Sequence, residues 1–219
     1  PNIARETETN TLLSMVSALF TCVTCVQEQA AALLDSTVLT AVVDQLMDLV
    51  RAAQKRIEAR TAQQERLLAQ RAGRPVEDDD EEGAFTQKIL SSTAITRLNT
   101  NDAYIAEQAI ETIANFAQTH GTHFLPIFER MFPELAATAS QQQTRSDMRR
   151  LPFILFHHVC KYCGPALMAL PAALDAVLGL CRERLLADTA DGVVLERVAF
   201  AVGAAVESCH QYLGGAGQA

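Results

Sequence analysis

Tryptophan is absent from this chain of 219 residues, and aromatic residues together make up only 5% of it. So few large rings argue against a fold built on aromatic-rich strands. The remaining apolar residues, dominated by Ala, Leu and Val within a hydrophobic share of 49%, favour helix. No stretch reaches the ~20 apolar residues needed to cross a bilayer, so no membrane insertion is expected. The N-terminus lacks the basic segment and apolar run of a signal peptide. No basic stripe is present, which speaks against direct nucleic-acid binding. There is no nucleophile elbow, Gly-rich phosphate loop, HExxH or paired-carboxylate motif, so neither enzymatic activity nor a cofactor is expected.

What is there is unevenly placed. Of the net charge of −8, six negative charges sit in one run, Glu77, Asp78, Asp79, Asp80, Glu81 and Glu82, and the remainder carries only about −2. The six cysteines (Cys22, Cys25, Cys160, Cys163, Cys181 and Cys209) fall inside helical patterns and read as reduced thiols of a cytosolic or nuclear protein. The chain opens at Pro1 without Met, which reads as a piece excised from something longer.

Apolar residues recur at offsets of three and four almost throughout. Leu12, Val16, Leu19, Phe20, Val23 and Val26 form one stripe, and Leu39, Val42, Val43, Leu46, Leu49, Val50, Ala53 and Ile57 form the next. Such stripes mark amphipathic helices. A longer spacing lies above this one. Asp102, Asp147 and Asp191 stand 45 and 44 residues apart, and each is expected to cap the start of a helix. Leu125-Pro126 and Leu170-Pro171 keep the same 45-residue step, with proline suited to a first helical turn. Gly121, Gly164 and Gly214-Gly215 are expected to end the first helix of each pair. Two helices per 40–47 residues is the signature of HEAT and armadillo repeats, so the expected fold is an all-α HEAT-repeat solenoid.

On this reading residues 1–219 form a single solenoid fragment. A first repeat spans about 6–72 with an extended second helix. An acidic loop and insert follow at 73–100. Further repeats cover about 101–140 and 145–188, and 190–213 is the first helix of a fourth. The acidic run is expected to stay a mobile loop, because it cannot bury enough surface to order itself. Ala84 to Leu98 is a candidate for a short additional helix.

The ordered segments Lys55-Arg56-Ile57, the acidic stretch, Asn101-Asp102-Ala103-Tyr104-Ile105 and Phe124-Leu125-Pro126-Ile127-Phe128-Glu129-Arg130-Met131-Phe132-Pro133 carry a family resemblance. Together with Leu195-Glu196-Arg197-Val198-Ala199-Phe200-Ala201-Val202-Gly203, they resemble the C-terminal half of importin-beta superfamily receptors, closest to the importin-five (karyopherin-beta-three) branch. The resemblance covers roughly residues 8–213. Two departures are a longer Gly83–Thr100 segment and Pro152 inside a first helix. The resemblance implies a nuclear import receptor that wraps cargo proteins and releases them to a Ran-type GTPase. It also implies nucleoporins as partners of the full-length chain and shuttling between cytoplasm and nucleus.

Three sets of residues invite a functional reading. The acidic run Glu77–Glu82 reads either as a steering site for Lys/Arg-rich cargo segments or as a solvated linker. Glu129, Arg130, Asp175, Arg182 and Glu183 lie on second helices, which repeat stacks present on a concave binding face; an ordinary solvated face is the plainer reading. His157, Cys160 and Cys163 fall at i, i+3 and i+6, but tetrahedral zinc needs four ligands, usually from two elements, so no metal site is expected. His120 and His123 flank a turn and read as solvent-facing polar residues. The competing function is a HEAT-repeat scaffold or regulatory subunit of a multiprotein assembly, since the fold alone does not choose.

Overall fold

The apolar stripes become helices. This computed structural model describes residues 2–25, 34–72, 81–141, 145–168, 171–187 and 191–216, and no strand occurs among them. The elements are α1 (Asn2–Cys25), α2 (Ser36–Ala72), α3 (Glu81–His120), a 3-10 helix (Gly121–Phe124), α4 (Leu125–Ser140), α5 (Ser146–Arg149), α6 (Leu151–Met168), α7 (Pro171–Ala187) and α8 (Gly192–Ala216). The described chain is all-α.

Local chemistry sets most of the helix starts. Asp35 precedes α2 and its Oδ1 accepts from the Thr37 and Val38 amides at 2.9 Å each. Asp191 does the same for α8, accepting from the Val194 amide at 3.3 Å. Proline falls in the first turn of α4 and at the first residue of α7, as the Leu-Pro spacing predicts. Pro152, the apparent departure from the family pattern, is the second residue of α6. The chain turns at Arg150 between α5 and α6, so the proline begins a helix and does not interrupt one. Gly121 links α3 to the 3-10 helix at φ +53°, a left-handed conformation that glycine adopts without a Cβ clash.

Several expected starts and ends are corrected. Asp102 opens no helix: α3 runs unbroken from Glu81 to His120, and Asp102 lies in its middle. Residues 81–100, expected as part of an acidic loop and insert with Ala84 to Leu98 a separate short helix, are helical throughout and form the N-terminal half of this 40-residue helix. Glu81 and Glu82 are therefore helical, while Glu77 to Asp80 lie outside the described residues. Asp147 sits in the first turn of α5 without capping it, and its carboxylate is engaged by Arg145 at 2.7 Å. Neither Gly164 nor Gly214-Gly215 ends a helix; α6 continues to Met168 and α8 to Ala216.

Packing sorts the helices into two layers. α3 lies between α1 and α6, and α6 lies between α3 and α8, so α1, α3, α6 and α8 form one row. On its other side α2 packs against α3, α4 against α6 and α7, and α7 against α6 and α8. The long helices α2 and α3 pair along their length, tied by a buried charge cluster. The Asp102 carboxylate, 1% exposed, accepts from Arg56 Nη2 at 2.6 Å and also contacts Arg60, whose Nε donates to Asn99 Oδ1 at 2.7 Å.

The core runs continuously through both layers. Along α3, Ile105, Ala109, Ile110, Ile113 and Phe116 are fully buried, and along α6 so are Phe153, Leu155, Phe156 and Val159. Residues 151–156 of α6 are all buried between its neighbours, and a polar edge with His157, His158, Lys161 and Tyr162 reaches solvent. Four phenylalanines lock α4 to α6. Phe128 and Phe156 meet edge to face at 6.1 Å, Phe153 and Phe156 at 5.6 Å, and Phe132 tilts against Phe156 at 5.7 Å. Such pairs add to area burial about 0.5–1.5 kcal/mol each.

The 45-residue spacing reappears as contacts. Cys163 Sγ donates to the Gly121 carbonyl at 3.1 Å, 42 residues away, and Arg149 pairs with Asp191 at 3.0 Å over the same separation. Arg150 meets Glu107 at 2.6 Å and His157 meets the Phe200 carbonyl at 3.0 Å, each 43 residues apart. Arg184, 1% exposed, reaches the Ser140 carbonyl at 3.0 Å across 44 residues. Contacts at this spacing thus join α3, α6 and α8 along one row and α4 to α7 along the other.

Candidate protein-interaction surfaces

The polar residues picked out on the second helices do face solvent. Glu129 and Arg130 are exposed on α4, and Asp175, Arg182 and Glu183 are exposed on α7. Arg130 crosses to Asp44 of α2 at 2.6 Å, and nearby Arg51 of α2 grips Glu134 of α4 through Nε at 2.8 Å and Nη2 at 2.9 Å. Hydrogen bonding to Glu134, with Asp48 adding to it, raises the Arg51 guanidinium above its ordinary value. These solvent-exposed pairs contribute ~0.2–1 kcal/mol each, so the second helices remain a mixed-charge face open to a partner. Glu183 turns to Arg184 at 3.1 Å. Among the described residues no ion pair joins the α4 set to the α7 set.

The His-Cys series on α6 separates onto different faces. Cys160 and Cys163 are buried in the core, whereas half-exposed His157 donates from Nδ1 to the Phe200 carbonyl of α8. Burial pushes the Cys163 thiol up to about 12 and the Cys181 thiol up to about 11, the opposite of what a metal thiolate or nucleophile requires. No cluster of three or more His, Cys, Asp or Glu side chains suited to a metal occurs among the described residues. His120 differs from its expected solvent-facing role: it is half-buried, with Nδ1 2.8 Å from Thr119 Oγ1, while His123 is exposed as expected. No described helix is long and apolar enough to cross a membrane.

A pocket of about 230 Å³ opens on the other layer, between α6 and α8, lined by Phe153, Ile154, His157, His158, Arg197 and Phe200. Phe153 and Ile154 form a buried apolar floor, and Phe200, 48% exposed, stands at its rim. His158 donates from Nδ1 to the Ile154 carbonyl at 3.0 Å and packs edge to face on His157, with ring centres 5.1 Å apart. Burial lowers its imidazole below the ordinary range, reinforced by His157, Lys161 and Arg197. On neighbouring α3, burial and Glu107 push the Glu111 carboxyl upward, partly offset by Arg197 and Arg150.

No motif in the sequence joins His157 and His158 to Arg197 and Phe200, some 40 residues on. The repeat step was the available signal, since it places Phe200 one period after His157. Comparison with protein-family models and with curated proteins returns no match.

Proposed function

We propose that this chain is a protein-binding HEAT-repeat segment of a nuclear import receptor. Its partners would be cargo proteins with basic segments, with release controlled in the full-length chain by a Ran-type GTPase. One observation carries the reading. Within each of two rows, successive helices contact one another at separations of 42, 43 and 44 residues, as expected where units of one helix pair stack in register. The ordered resemblance of Asn101–Ile105 and Phe124–Pro133 to importin-beta receptors selects transport from among the functions such stacks perform. In this reading the mixed-charge faces of α4 and α7, with Glu129, Arg130, Asp175, Arg182 and Glu183, belong to the cargo cradle. Glu77–Glu82 supplies the negative charge that draws basic cargo towards it.

Replacing the six acids of Glu77–Glu82 by Gly and Ser tests the cargo role. Affinity for a lysine-rich peptide should fall about tenfold at low ionic strength and little at high salt, because long-range steering is screened within ~10 Å at 0.1 M. Unchanged affinity at low salt removes the acidic run from cargo binding. A single constant partner, indifferent to the GTPase, would assign the chain to a scaffold.

A further inference from the structure

The pocket between α6 and α8 has a chemistry separate from that of the cargo reading. Its floor is apolar, from Phe153 and Ile154, while its polar groups are the Arg197 guanidinium and the His157 and His158 imidazoles. Both histidines direct Nδ1 at a main-chain carbonyl, Phe200 for His157 and Ile154 for His158. A carbonyl oxygen only accepts, so Nδ1 carries the proton and Nε2 is the ring nitrogen left for a ligand. The carboxylates nearby have partners of their own: Glu107 is held by Arg150 at 2.6 Å, and Glu111 accepts from Gln108 at 3.0 Å. Arg197 makes no ion pair among the described residues, and its positive charge is felt by both Glu111 and His158. Lys161 of α6, lying over the Tyr162 ring at 5.2 Å, adds further positive charge beside His158.

We propose that this pocket binds an acidic peptide segment of a partner protein, with an apolar side chain seated on Phe153 and Ile154 and its neighbouring carboxylate held by Arg197. Guanidinium–carboxylate pairing fixes the peptide's direction, and the apolar floor, walled by Phe200, supplies the area buried.

The test uses the whole chain and a fluorescein-labelled 12-residue Gly/Ser peptide carrying a central Asp-Leu-Asp, followed by fluorescence anisotropy. A second peptide has Asn-Leu-Asn at the centre. The acidic peptide should bind about tenfold more tightly than the amide peptide, the difference a charge-assisted hydrogen bond gives. Arg197→Gln should remove most of that difference, and Phe200→Ala should weaken both peptides. Both positions are at least partly exposed, so the variants are expected to keep wild-type helicity by circular dichroism. Equal affinity for the two peptides, no loss in Arg197→Gln, or no detectable binding of the acidic peptide would overturn the proposal. None of these outcomes bears on whether lysine-rich cargo binds elsewhere.

Discussion

Arg56 of α2 places Nη2 2.6 Å from Oδ1 of Asp102, in the middle of α3, where the carboxylate is 1% exposed. A carboxylate this deep is tolerated because Arg56 and Arg60 both reach it, and Arg60 is itself held by Asn99 through Nε. The pairing fixes the register of the two longest helices against each other. Asp102→Ala leaves two guanidiniums facing each other across an apolar gap. Breaking a fully buried pair costs about 3–5 kcal/mol; the arginines are partly exposed, so about 2–4 kcal/mol is expected from urea denaturation. A loss under about 1 kcal/mol would mean that apolar packing alone sets the register.

Gly164 is a contact position. A Cβ added there would fall 2.5 Å from Ser208 Cβ, and Ser208 itself donates to the Cys160 carbonyl at 2.5 Å. Gly164→Ala should therefore cost about 1–3 kcal/mol by forcing α6 and α8 apart. Adding Ser208→Gly should recover part of that loss, and thermal melts of the single and double variants measure the coupling.

Glu111 gives a prediction with a sign. Burial and Glu107 raise its carboxyl above the ordinary value, so the folded state holds this proton more tightly than the unfolded chain does. Its ionised form thus works against folding, and stability is lost as pH rises through the raised value. Glu111→Gln, which keeps the neutral shape, should stabilise the protein at pH 7.5. The residue is half-exposed, so screening keeps the gain below about 1 kcal/mol, and it should vanish near pH 4. A destabilised variant at pH 7.5 would show that the attraction of Arg150 and Arg197 dominates.

Thiol reactivity should divide along the fold. Cys22 and Cys25 are exposed on α1, whereas Cys160, Cys163 and Cys181 are buried. Iodoacetamide at pH 8, read by peptide mass spectrometry, should modify the first two within minutes and the other three only after denaturation. Rapid labelling of Cys163 would contradict its place against Gly121.

The sequence announced the helices and their spacing because both are written in the apolar stripe and in proline placement. Leu39, Val42, Val43, Leu46, Leu49, Val50, Ala53 and Ile57 were legible as one face, and all are buried except Val42 and Leu49, which are partly buried against the core. Asp102 misled because a lone aspartate before an apolar stripe looks the same whether it caps a helix or pairs inside one. Its partners, Arg56 and Arg60, stand 46 and 42 residues earlier, so only the fold joins them. Leu19 misled as well: its stripe position predicts burial, but it is 37% exposed. Gly164 reads as a helix end by residue type, yet the tight approach of Ser208 is what calls for glycine there. The α6–α8 pocket was not legible, because Arg197 and Phe200 reach His157 and His158 from a helix some 40 residues later.

The most direct test of the central claim is affinity capture from cell extract on the full-length protein, with and without a GTP-locked Ran-type GTPase. The import-receptor account predicts a set of proteins with basic segments that is captured alone and released when the GTPase is added. A single partner that stays bound in both conditions would contradict it, and would place this all-helical chain in a permanent assembly.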